Sequence, residues 1–404
     1  MLAWLSADGK RLLAARVARS FGYGFLAVAL GAYLEDVGYN GIQVGLVLSA
    51  ALVSSAAASV IVGLRADAWG RRRMLSAFAI LMSASGVLLL LGPSLPLVLL
   101  AVTVGTVSPT GGEAGPFLSV EQAMLPQAAS SPRRTDAFAL YNLAGNGAAA
   151  LGALFSGLPA FAAPILGLRA VPFGVLFATY AVLGLVTLGV YAGLSPALEV
   201  AAQERVRLGA MTSRRTVSRL SLLFATDAFG GGFALQSFVA FWFASVYGVE
   251  PVTLAAVFFT ANVLTSVSYL AAARLASRFG LLNTMVFTHL PSNVLLMLVP
   301  LLPTLPLALA AYLGRMSLSQ MDVPTRQAYT MAVVPREERT AAASFTTIAR
   351  NVGNAAGPGL GGAAFAAWIA APFLLAGAIK IAYDVTLYAT FRGIRPPPEV
   401  PRSP

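Results

Sequence analysis

Eleven ionisable side chains interrupt stretches that are otherwise apolar: Arg16, Arg19, Glu113, Glu121, Asp227, Arg315, Asp322, Arg326, Arg350, Lys380 and Asp384. Acids in such surroundings suit reversible protonation, and arginines beside them neutralise the acids or hold an anion. Glu113 has no basic residue three or four positions away and stands in Ser108-Pro-Thr-Gly-Gly-Glu-Ala-Gly-Pro116. Two prolines and three glycines around it predict a broken helix, as carrier binding sites use. Glu113 is therefore the first candidate for carrying a coupling proton, with Asp227 and Asp322 next. Asp322 has Arg326 at i+4, within pairing reach on a helix. Asp227 lies beside Gly230-Gly231-Gly232 at a depth like that of Arg16 and Arg19, which predicts a cross-helix ion pair. Lys380 and Asp384 are also i,i+4 and read as a structural pair, and the lone His289 reads as a packing residue. Arg16, Arg19, Tyr23, Gln236 and Arg315 are the candidate solute contacts.

The elements that position these residues follow from composition. Of 404 residues, 57% are hydrophobic and 11% charged, with a mean hydropathy of +0.76. A soluble domain carries about 25% charged residues. Lipid must therefore be the main solvent, which excludes soluble enzymes, secreted modules and disordered regulators. No Cys and one His leave no disulfide, no thiol chemistry and no Cys/His metal site, and no cofactor is expected. Apolar runs long enough to cross a roughly 30 Å hydrocarbon core predict twelve spans. They fall near 12–34, 43–64, 74–94, 97–124, 136–158, 171–194, 219–246, 252–273, 281–302, 305–333, 341–369 and 371–391. Each ionisable residue inside them would cost about 3 kcal/mol if it faced lipid at mid-membrane. All eleven must face protein or water.

Lys and Arg number 27 against 16 Asp and Glu, a net charge of +11. Twenty of the 27 fall on the termini and loops of one side, and only Arg169 on the other. That asymmetry predicts both termini in the cytoplasm of a cell membrane and accounts for the basic excess without nucleic acid. Trp242 and Trp368 fall near predicted outer ends, where interfacial Trp is common. The polar stretch 195–218 divides the spans six and six. The expected organisation is a first bundle over 1–194, a cytoplasmic loop over 195–218, a second bundle over 219–391 and a tail over 392–404.

The halves repeat. At an offset of 210, Gly22, Gly38 and Gly70 fall on Gly232, Gly248 and Gly280. At 205, Gln122, Thr135, Asn146, Gly152 and Gly157 fall on Gln327, Thr340, Asn351, Gly357 and Gly362. Glu121 then falls on Arg326, opposite charges at equivalent positions. This predicts either a gate between the halves or separate local pairs, Arg326 with Asp322. Parallel repeats imply a pseudo-twofold along the membrane normal and a cleft between bundles.

Between spans two and three lies Gly63-Leu-Arg-Ala-Asp67-Ala-Trp-Gly70-Arg71-Arg72-Arg73, and Ala273-Arg-Leu-Ala-Ser277-Arg-Phe-Gly280 is its weaker copy. Here the chain resembles the major facilitator superfamily, whose signature is Gly-x-x-x-Asp-(Arg/Lys)-x-Gly-Arg-(Arg/Lys). Ala68 departs from it. The run Gly353-Asn-Ala-Ala-Gly357-Pro358-Gly-Leu-Gly-Gly362 on span eleven resembles a Gly-Pro motif that exporter branches carry on span five, and close helix packing is its plainer reading. The resemblance implies an all-α membrane fold of twelve helices in two six-helix bundles. It also implies a cavity lined by spans one, four, seven and ten, which hold eight of the eleven charges.

These readings converge on a monomeric, non-enzymatic secondary active transporter that moves a small solute by alternating access, coupled to protons. No ATP-binding loop of Walker type is present. Export of an amphipathic or drug-like compound, which fits the aromatic residues and the Gly-Pro motif, is the preferred reading, and proton-linked movement of an organic anion or metabolite, which fits the arginines, is the alternative. A receptor or scramblase is the reading from another class.

Overall fold

The computed structural model describes residues 5–105, 107–111, 115–125, 134–167, 173–198, 211–335 and 338–393. They form α1 (Ala7–Asp36), α2 (Gly41–Trp69), α3 (Arg71–Leu90), α4 (Leu95–Val104), α5 (Pro116–Met124), α6 (Arg134–Phe155), α7 (Leu158–Ile165) and α8 (Phe173–Ala192). The second half holds α9 (Arg214–Gly232), α10 (Gln236–Tyr247), α11 (Pro251–Phe279), α12 (Leu281–Leu298), α13 (Leu305–Ser319), α14 (Asp322–Ala332), α15 (Arg339–Ala367) and α16 (Ala371–Phe391). Nine spans among the described residues are helical, long and apolar enough to cross a membrane. Leu143, Ile165, Leu222 and Leu270 are more than two-thirds exposed. Such a surface is stable only against lipid.

Spans four, seven and ten are each two helices: α4 with α5, α9 with α10, and α13 with α14. Pro116 opens α5, where its missing N–H is harmless. Glycines set other boundaries. Gly70 (φ 92°) precedes α3 as Gly280 (φ 85°) precedes α12, and Gly38 (φ 77°) follows α1 as Gly248 (φ 62°) follows α10. A side chain at these φ values would be strained. Both equivalences stand at the offset of 210.

Inside span one the register differs. A Cβ on Gly152 of α6 would collide with the Phe21 carbonyl of α1, and one on Gly357 of α15 would lie 2.7 Å from the Phe229 carbonyl of α9. Gly152 and Gly357 are equivalent, so Phe21 answers to Phe229 and Gly24 to Gly232, an offset of 208. Gly22 therefore does not answer to Gly232. The two extra residues lie at the break Phe233–Leu235 between α9 and α10, where span one continues as unbroken helix.

The chain divides into two compact units. The first comprises Met1–Gln203, Ala234–Val263 and Pro358–Trp368. Within it Ser237 of α10 donates from Oγ to the Ala27 carbonyl (2.7 Å) and from N to the Pro109 carbonyl (3.1 Å). Gly359 N donates to Ser49 Oγ at 2.8 Å. Trp242 is buried against Phe243 and Tyr247, so it is a core residue of this unit and not an interfacial one. Trp368 is exposed.

The second unit comprises Glu204–Phe233, Leu264–Gly357 and Ile369–Pro404. Its α9 starts on a carboxylate: Glu338 Oε1 accepts from Thr212 N (2.6 Å) and Thr212 Oγ1 (2.7 Å), and Oε2 accepts from Ser213 N (3.0 Å) and Ser213 Oγ. An anion there satisfies donors that the helix leaves open. These hydroxyl and amide donors lower the Glu338 pKa to about 2. The carboxylate thus stabilises the fold fully above its ordinary value near 4.5 and loses that contribution as pH falls towards 2. Glu338→Gln should melt below the wild type at pH 7, and the gap should close progressively below pH 4.5. A gap independent of pH would show that the carboxylate's charge is not what matters.

Candidate functional site

Two buried charge clusters stand out, one in each unit. In the first, Arg19 of α1 meets Glu121 of α5 through two parallel bonds, Nη1 to Oε1 at 3.0 Å and Nη2 to Oε2 at 2.6 Å. Both side chains are fully buried. Tyr141 of α6 donates to Glu121 Oε2 (2.5 Å) and Tyr191 of α8 to Oε1 (2.8 Å). The Arg19 guanidinium also contacts the Tyr191 hydroxyl and lies 4.4 Å from the Phe117 ring centroid. Fork-on-carboxylate geometry of this kind fixes orientation as well as charge. Arg16, one turn earlier, lies 4.8 Å from the Tyr141 ring. Tyr23 is buried beside Tyr180, their rings 6.2 Å apart.

The second cluster is larger. Asp227 of α9 receives Lys380 Nζ of α16 at 2.6 Å and Arg350 Nη1 of α15 at 2.9 Å, with Arg326 Nη1 of α14 at 3.5 Å. Arg326 also binds Asp322 at 2.5 Å, the i+4 pair expected from spacing. His289 of α12 sits between two carboxylates: Nδ1 is 2.9 Å from Asp384 Oδ1, and Nε2 is 3.9 Å from Asp227 Oδ1. Asn293 Nδ2, one turn along α12, donates to Asp384 Oδ2 at 2.9 Å. Lys380 is thus turned to Asp227 and not to Asp384, so the expected Lys380–Asp384 pair does not form. Asp384 is occupied instead by His289 and Asn293. His289 is buried, as a packing residue would be, but both its nitrogens face acids.

The two clusters are equivalents with inverted charge. Arg19 answers to Asp227 at the offset of 208 and Glu121 to Arg326 at 205. The first half pairs arginine on its first span with acid on its fourth, and the second half pairs acid with arginine. Each member of the expected Glu121–Arg326 gate is bonded within its own unit, to Arg19 and to Asp322 with Asp227. That matches the local-pair alternative.

The other candidates are placed as follows. Arg315 of α13 is buried. Gln236 opens α10 within the first unit, against Gly111. Gly70 caps α3, Arg72 Nη2 reaches the Ala192 carbonyl at 3.4 Å, and Arg71 begins α3. Gly357 packs on Gly232, while the Pro358 carbonyl lies against Gly45. These contacts are the close packing read for that motif. Glu113 lies outside the described residues, as does the side chain of Asp67, while Gly63 lies within α2. The reading of His289 as packing and of Asp384 as the partner of Lys380 missed their partnership with each other and Asn293 because it spans helices, although the i,i+4 spacing of His289 and Asn293 was a readable signal.

The sequence profile of the Major Facilitator Superfamily matches residues 12–319. The chain belongs to this family. It is 24% identical to "Uncharacterized membrane protein YJR124C" of Saccharomyces cerevisiae, over 96% of this chain and 95% of that protein. Similar solved folds include a mutant of the nucleoside transporter NupG (TM-score 0.76, 13% identity, 96% and 99% of the two chains). Others are a D-xylose-proton symporter (0.73, 12%, 94% and 97%) and a bacterial homolog of the human lysosomal transporter Spinster in an inward-facing, occupied conformation (0.69, 16%, 96% and 98%). The twelve-helix superfamily fold, a multi-pass membrane protein, is thereby established.

Proposed function

We propose that this superfamily member is a proton-coupled secondary active transporter that moves a small solute by alternating access across the cytoplasmic membrane. One observation carries the coupling: a lone imidazole whose two nitrogens face two buried carboxylates, Asp384 and Asp227. Imidazole is the side chain that changes charge near neutral pH. The groups around it are Asp227 from α9, Asn293 from α12, and Lys380, Tyr383 and Asp384 from α16. A proton shared among His289 and the two acids alters how tightly Asp227 holds Lys380 and Arg350, and so ties protonation to the packing of α9, α15 and α16. The likeness to a D-xylose-proton symporter supports the choice of ion. The one-sided distribution of Lys and Arg supports cytoplasmic termini.

The test is flux in proteoliposomes, using a solute found by thermal-shift screening, with and without an imposed pH gradient. The gradient should accelerate net uptake in the wild type, and His289→Gln should retain solute exchange while losing that acceleration. Equal wild-type rates under both conditions would end the proton reading. Loss of coupling in Glu113→Gln with His289→Gln unaffected would move the proton to Glu113. Binding without flux would favour the receptor reading.

A further inference from the structure

Four arginines occupy spans one and ten, and the structure separates their tasks. Arg19 is committed to Glu121, Arg326 to Asp322 and Asp227, and Arg16 lies over the Tyr141 ring. Arg315 is different. It is 9% exposed on α13, its Nη1 donates to Met316 Sδ at 3.2 Å, and its Nε is buried without a hydrogen-bond partner. A thioether is a weak acceptor, which leaves most of the five guanidinium donors unanswered. No carboxylate among the described residues lies within ion-pair distance of it.

The charge inventory of the second unit makes the same point independently. Its membrane-embedded acids are Asp227, Asp322 and Asp384, and its cations are Arg315, Arg326, Arg350 and Lys380. Arg326, Arg350 and Lys380 each touch a carboxylate, so Arg315 is the surplus positive charge even with His289 neutral. A buried guanidinium is retained at such a position when something else supplies the counter-charge.

We infer that Arg315 is the solute-recognition residue and that the transported solute carries an oxyanion, a carboxylate or a phosphate, held by this guanidinium. The inference rests on the transporter reading above and names its substrate class. A planar fork binds either group through two parallel hydrogen bonds, whereas an ammonium offers only a point charge. Tyr312, one turn earlier on α13 and also buried, presents a ring to the same helix face for the solute's apolar part. This selects the organic-anion reading over export of a neutral amphipathic compound.

The experiment is a thermal-shift and binding screen of the full-length protein in detergent at fixed ionic strength. The library holds small carboxylates and phosphate monoesters, each matched with its uncharged counterpart, benzoate with benzamide and glycerol phosphate with glycerol among them. Stabilising compounds should be anionic, their neutral counterparts inactive, and the ratio of carboxylate to phosphate hits identifies the oxyanion. Arg315→Gln should weaken each hit by roughly tenfold to a hundredfold, the weight of hydrogen bonds to a charged group. Arg315→Lys should recover only part. Hits confined to neutral compounds, no anionic hit, or anion affinities unchanged in Arg315→Gln would each overturn the assignment. The wild-type melting profile without ligand verifies that Arg315→Gln folds. Arg315-dependent anion binding without pH-driven flux would instead leave the site standing and defeat the coupling.

Discussion

Asp227→Asn should be the most damaging single substitution in the second half. It leaves Lys380 and Arg350 without their carboxylate, at 2.6 Å and 2.9 Å in the intact protein, and weakens the hold on Arg326. Stranding one buried partner costs roughly 3–5 kcal/mol, which for a membrane protein in detergent means early aggregation on heating. The second substitution is what makes the result specific. Lys380→Gln on the Asp227→Asn background removes the stranded ammonium, and it should return a substantial part of the lost melting temperature. It should not return pH-driven flux, because His289 would then face an amide where it now faces Asp227 Oδ1 at 3.9 Å. A double variant no more stable than Asp227→Asn would mean that the Lys380–Asp227 contact is not what holds α16 to α9. Recovery of pH-driven flux in the double variant would remove Asp227 from the proton path.

The fold was legible because its signals are one-dimensional. Span length and Gly70 and Gly280 can be read without knowing where any helix packs. The Gly and Pro residues around Glu113 marked the break that divides span four, while the break in span seven after Gly232 was not read. The site was legible only where a pair is local, as in Asp322 and Arg326. Lys380 shows why the rest was not. It has an acid four residues ahead on its own helix, the arrangement that usually wins on an isolated helix. Asp384 is occupied by His289 and Asn293 from α12, and Asp227 on α9 is the stronger partner in place. That outcome depends on three helices meeting, which spacing along one of them does not encode. The repeat register failed for a similar reason. Gly22 and Gly232 match at the offset that Gly38, Gly70 and their partners obey, but two residues enter span seven at Phe233–Leu235, so contacts deeper in the helix obey 208. Only the collisions that a Cβ on Gly152 or Gly357 would meet reveal the slip.

Charge-swap variants of the first half separate the two readings of Glu121. Arg19→Glu and Glu121→Arg should each abolish folding or flux, since either places two like charges at a fully buried contact. The rescuing partner then identifies the bridge. Arg19→Glu combined with Glu121→Arg restores opposite charges across α1 and α5 and should recover protein in the membrane. Glu121→Arg combined with Arg326→Glu should not, because Arg19 would still face an arginine while Asp322 and Asp227 would face a glutamate. The recovery will be partial for a reason visible in the surroundings. Tyr141 and Tyr191 donate hydroxyl protons to the Glu121 oxygens, and Phe117 lies under the Arg19 guanidinium. After the exchange those hydroxyls must turn from donating to a carboxylate to accepting from a guanidinium, and the ring meets a carboxylate, losing about 0.5–2 kcal/mol of cation–π attraction. In the wild type Tyr141→Phe removes a donor to Glu121 and should destabilise. Rescue by the Arg326 partner and not by the Arg19 partner would instead establish the gate between equivalent charges.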